Sequence, residues 1–191
     1  MPKFLVSNFS TACLALLLLG CSINVKNKGE DAEKKVDINT PIGGIHVSKE
    51  ADPHAVGLDV YPGSKLVEKG DDGDDKSANV NISTGFFGLK VVAQEYQSDA
   101  TPDKLIDYYS RELKKYGNVL ECHGSWKRSH ASVNHSGDKS KQLKCDEDSG
   151  TATELKVGTE DNQHIVSITP EGKGSKFALV LVQIHGKEGT I

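Results

Sequence analysis

The chain has 191 residues, 27 of them acidic and 23 basic, for a formal net charge of −4, with 36% hydrophobic residues, 26% charged residues and a single Trp. That is the composition of a globular protein long enough for one domain. It excludes a strongly basic nucleic-acid binder, a multi-span membrane protein, a collagen and a disulfide-dense miniprotein.

The opening stretch, MPKFLVSNFSTACLALLLLGC, carries one charge, Lys3, followed by an apolar run that ends at Gly20 and Cys21. Asn8, Ser10 and Thr11 interrupt the run, so it falls short of the ~20 apolar residues that cross a bilayer. It reads as a targeting segment rather than a span or a core helix. Leu18, Leu19, Gly20 and Cys21 resemble the lipobox of bacterial lipoprotein signal peptides. The resemblance implies cleavage before Cys21, a diacylglycerol on its thiol and, in many Gram-negative organisms, a further acyl chain such as palmitate on its amine. Two or three chains hold a protein on a membrane where one does not. Ser22, rather than Asp, after the cysteine implies an outer-membrane destination with the domain facing the periplasm. The plainer alternative is a secretory signal ending in an ordinary thiol. Loss of residues 1–20 removes one Lys and leaves 22 basic and 27 acidic residues, net −5.

The expected organisation is a signal peptide over 1–20, a lipidated cysteine with a flexible tether over 21–35, and one domain over 36–191. Residues 22–35, SINVKNKGEDAEKK, are polar with alternating charge sign, which suits a tether. VDINTPIGGIHV then predicts a short strand pair around Pro41, Gly43 and Gly44. Turn residues at Asp52-Pro53 and Tyr61-Pro62-Gly63 bracket Val56, Leu58 and Val60, and 64–68 predicts another strand. The acidic cluster Gly70 to Asp75 lacks the spacing and closing Glu of an EF-hand loop, so it reads as a solvated hairpin tip. Ala78 to Ser83 and Phe86 to Tyr96 predict two strands. The second is apolar on both parities, as in a strand covered on both faces or bulged at Gly88.

The most completely specified element is a helix in TPDKLIDYYSRELKKYG. Thr101 is the candidate N-cap, Pro102 suits the first helical position, and Asp103 complements the positive end of the dipole. Leu105, Ile106, Tyr109, Leu113 and Tyr116 recur at spacings of three and four and predict one buried stripe. Gly117 is the expected stop. Beyond it, 118–122, 142–145, 151–157, 164–169 and 177–185 predict strands, and FALVLVQI, apolar on both parities, predicts a central one. Short connections make neighbouring strands antiparallel. The sum is an α+β domain: an antiparallel sheet of five to seven strands with one main helix, about 102–116, packed on one face.

If Cys13 leaves with the signal and Cys21 is lipidated, Cys122 and Cys145 are the remaining thiols in an oxidising compartment and are expected to pair. The bridge would close a loop containing His123, Trp126, Lys127, Arg128, His130 and His135, which is net +4 in a net-negative domain. Two sharper readings compete with a solvated Ser- and Gly-rich loop. One is a small anionic ligand held by the cations and Trp126. The other is Zn²⁺ on reduced cysteines and two histidines, although the spacing matches no paired Cys or His motif. No G-x-S-x-G, H-E-x-x-H, Walker A or G-x-G-x-x-G occurs, so no catalytic residue, cofactor or metal is assigned. HAVGLDVYPGSKL followed by the hairpin and TPDKLIDYYSREL resembles domains of exported bacterial lipoproteins without an assigned activity. The expectation is a lipid-anchored envelope protein that is a non-enzymatic interaction or structural module. Its partners would be the membrane and an envelope protein or polymer, not nucleic acid. The alternative is a ligand- or metal-binding module using the 122–145 loop.

Overall fold

Period-two alternation recurs along most of the chain, and among the described residues it forms one open antiparallel sheet of ten strands. The structure is a computed structural model that describes residues 22–26, 35–49, 52, 54–68, 76–123, 142–145 and 150–186. The strands are β1 (Ser22–Lys26), β2 (Lys35–Thr40), β3 (Gly43–Ser48), β4 (Lys65–Leu66), β5 (Ser77–Thr84), β6 (Phe87–Ser98), β7 (Leu120–His123), β8 (Thr153–Thr159), β9 (Asn162–Glu171) and β10 (Gly174–Gly186). Their spatial order is β1-β2-β3-β5-β6-β10-β9-β8-β7, with β4 beside β6. The strand count therefore exceeds the expected five to seven. Among the described residues the architecture is mainly β with one α-helix. The strand that was not foreseen is β1: Ser22–Lys26, expected as tether, instead pairs with β2 as an edge strand.

β4 and β5 lie on the same edge of β6 and run in the same direction. They are one strand interrupted by an excursion whose neck is closed by the Lys76 N–H donating to the Glu68 carbonyl at 3.1 Å. The acidic cluster 70–75 lies outside the described residues. β6 pairs with β10 without interruption from Phe87 to Ser98, so Gly88 carries no bulge. Residues 142–145 form no strand; they lie against β7 through the disulfide described below.

The helix α1 (Pro102–Leu113) starts where Pro102 fixes the first turn. Thr101 is extended and makes no side-chain cap; its carbonyl instead accepts the Lys104 and Leu105 N–H groups at 3.1 and 3.4 Å. Leu105, Tyr109 and Leu113 are buried as expected. Tyr116 is not in that stripe: a 3₁₀ turn over Lys114–Tyr116 tightens the helix end and rotates it out, leaving it 40% exposed.

The core lies between α1, the 54–61 segment and the central strands. Val56, Leu58, Val92, Tyr96, Tyr109, Leu155, Val166, Phe177 and Leu179 meet there. Tyr96 and Phe177, cross-strand partners, stack at 5.4 Å between ring centroids. Gln94 is buried in the same layer because both ends of its amide are used: Nε2 donates to the Asp52 carbonyl at 2.5 Å, and Oε1 accepts the Tyr96 hydroxyl at 2.8 Å. Burial pushes the Tyr109 hydroxyl well above its ordinary pKa, against the opposing hydrogen bond it accepts from the Tyr61 N–H at 3.0 Å.

Candidate functional site: an aliphatic sheet face and its hairpin tips

Strand register decides what the side away from the helix presents. Val36, Val47, Val80, Val91 and Val182 stand in one cross-strand row. Two residues further along each strand, Ile38, Ile45, Ile82, Leu89 and Ile184 form a second row on the same face. The β-branched side chains shield one another laterally, each such pair contributing roughly 0.2–1 kcal/mol. No described helix lies over this face; α1 contacts β8 and β9. Ile45 and Ile184 accordingly remain 39% and 36% exposed.

The stripe ends toward β8. There Cys122 stands opposite Glu154, beside the buried Lys156, whose ammonium lies 3.0 Å from the Glu154 carboxylate. On the helix side of β2, β3 and β5 the pattern reverses: Asp37, His46, Asn79 and Asn81 take that side, and His46 Nδ1 pairs with the Asp37 carboxylate.

At one end of the stripe the β2–β3 and β5–β6 turns stand side by side, because Gly43 pairs with Thr84. They present Ile42, 80% exposed, and Phe86, 73% exposed, with Phe87 partly exposed behind them. Gly43 is required at this junction: a Cβ there would lie 2.2 Å from the Ser83 carbonyl oxygen. A cavity of about 490 Å³ lies beside the tips, lined by Ile82, Phe86, Phe87, Leu89, Lys90 and His185 among others.

The residues singled out from the sequence fall elsewhere. Cys122 and Cys145 are disulfide-bonded with their Cα atoms 5.4 Å apart. A disulfide offers no thiolate, so the zinc reading loses its sulfur ligands. His123 closes β7 with both ring nitrogens engaged, Nε2 at 2.8 Å from Glu121 Oε1 and Nδ1 at 3.2 Å from Thr153 Oγ1. Trp126, Lys127, Arg128, His130 and His135 lie outside the described residues, as does Cys21. Among the described residues no group of His, Cys, Asp and Glu is placed to hold a metal ion, and no helix is long and apolar enough to cross a membrane.

A second polar cluster escaped the sequence reading. Tyr116 stacks on the buried His164 at 3.8 Å, and its hydroxyl donates to the Gly57 carbonyl at 2.5 Å. Burial lowers the His164 pKa; a hydrogen bond with the Val56 backbone opposes the shift and the Lys115 charge adds to it. These contacts join the helix end to β9 and the 54–61 segment, a packing role.

Comparison of the chain with protein-family models, with curated proteins and with solved structures gives no match. Ile42 was not singled out from the sequence and Phe86 was read as strand; the signal for both was an apolar residue at a Gly- or Pro-marked turn, where polar ones are usual.

Proposed function

We propose that the chain is a lipid-anchored bacterial envelope protein, acylated at Cys21 and held on the outer membrane facing the periplasm. Its sheet serves there as a non-enzymatic interaction module for a protein partner with an aliphatic surface of its own. The address rests on the lipobox-like residues Leu18 to Cys21. The observation that carries the interaction role is the two-row Val and Ile face without a covering element among the described residues. A contiguous apolar patch of this kind on a folded domain marks a contact surface.

Two measurements test the reading. Intact mass of the full-length chain made in a bacterial host should show cleavage before Cys21 and added acyl mass; an unmodified thiol there would remove the anchor. Photocrosslinking residues placed at Ile45 and Ile184 should yield one and the same adduct in the envelope, and one placed at Asp107, exposed on the helix, should not. Equal yields from all three positions would end the interaction role.

A further inference from the structure

We infer that the paired hairpin tips carrying Ile42 and Phe86 insert into a phospholipid surface, so that the sheet stands end-on against the bilayer. The inference deepens the proposed reading, on which it rests for the nature of the surface, and it uses residues outside the aliphatic face.

Register carries the first step. Ser22, Asn39, Gly44, Ser83, Gly88 and His185 stand in one cross-strand row. β1 begins at this row, and the β2–β3 and β5–β6 turns project just beyond it. Ser22 is thus at the tip end of the sheet, and Cys21 is its neighbour in sequence. A cysteine seated at a membrane surface leaves no spacer between lipid and sheet, because the next residue is already paired with β2.

The tips are also chemically suited to enter lipid. INTPIGGI, residues 38–45, and NISTGFFGL, residues 81–89, contain no charged residue, so no ion has to be dehydrated. Their backbone groups are partly satisfied within the turns. The Thr84 hydroxyl accepts the Phe86 and Phe87 N–H groups at 3.5 and 2.9 Å and donates to the Phe87 carbonyl at 3.0 Å. The Thr40 hydroxyl donates to the Gly43 carbonyl at 2.8 Å. Internal satisfaction is the condition lipid imposes on a backbone. The two most exposed large apolar side chains in the described structure, Ile42 at 80% and Phe86 at 73%, sit at these two neighbouring tips. Charged lysines are not needed to hold such a surface on lipid, since each apolar side chain buried strengthens partitioning by about tenfold.

The test uses the full-length chain with Trp126→Phe as background and Phe86→Trp as the probe, on vesicles of phosphatidylcholine and phosphatidylglycerol with brominated acyl chains. Asp107→Trp in the same background is the control. The inference expects quenching of the Phe86→Trp probe about twofold or more beyond the control. Adding Ile42→Asp should reduce that quenching and leave thermal unfolding unchanged. Intact mass reads acylation separately. Acyl mass with an unquenched tip overturns the inference and leaves the anchor standing; equal quenching at both positions also overturns it, because the domain would then lie without orientation. If acyl mass is missing, the anchor falls, and the tip inference is decided by whether the Phe86→Trp probe still quenches on the added vesicles.

Discussion

On the helix side of the sheet, Val92, Phe177, Leu179 and Val166 are almost wholly removed from water. At odd offsets along the same strands, Val91, Val182 and Ile184 point the other way and are only partly shielded, by their cross-strand neighbours. The residue types barely differ; what differs is the layer above them. Strand alternation sets which side chains share a face, but a covering element decides whether that face is core or surface. The N-terminal wing sharpens the point. In β2, β3 and β5 the helix side is polar and the far side aliphatic, the reverse of what a sheet with one dry side would show.

The difference between the faces can be broken by substitution. Phe177→Ala should cost about 3–5 kcal/mol and lower the thermal midpoint sharply, while Val182→Ala on the far side should cost well under half of that in the same denaturation experiment. A comparable loss at both positions would mean that the far face is covered too. Reduction of the Cys122–Cys145 bridge, which spans a sequence separation of 23 residues, should cost up to about 3 kcal/mol in the chain-entropy account, read as a shift in the urea midpoint with and without reductant.

Gly57→Ala probes the seam between helix end and loop. Gly57 has φ +75°, and a Cβ there would lie 2.8 Å from the Tyr116 hydroxyl, so a loss of about 1–3 kcal/mol is expected from chemical denaturation. The smallest effect is set by His164. Its folded pKa lies below the ordinary 6.5, chiefly through burial, so the unfolded chain binds more protons just below that pH. Its stabilising contribution is complete above pH 6.5 and is lost as pH falls through the lowered folded value. His164→Gln should flatten that part of the stability curve; an unchanged slope would assign it to other groups.

Much of the sheet was legible because its signal is local. The β2–β3 hairpin, the helix start at Pro102 and the central position of β10 follow from turn residues, the preference of proline for a first helical turn and apolar runs on both parities, although the hydroxyl of Thr101 does not cap the helix. β1 was not legible, since SINVK is mixed in polarity and its place depends on an edge supplied by β2. Tyr116 kept the helical spacing but not the helical geometry, because the 3₁₀ turn breaks the period. The candidate site was the least legible part. The two aliphatic rows are assembled from five strands, and each strand contributes only two of their members. Phe86 was read as strand, whereas the structure gives it to the turn.

The place of β10 also bears on how the chain assembles. It is the last described element in sequence and the sixth of nine along the sheet path, joining β6 on one side to β9 on the other. Until it arrives, the N-terminal strands and the β7–β8–β9 group are two separate ribbons, each with a raw hydrogen-bonding edge. Such long-range closure is slow and leaves those edges open to foreign pairing. A chain cut before Gly174 would therefore yield two sticky halves instead of a shorter sheet, and a chain emerging N-terminus first would need its exposed edges guarded until its final strand had been delivered.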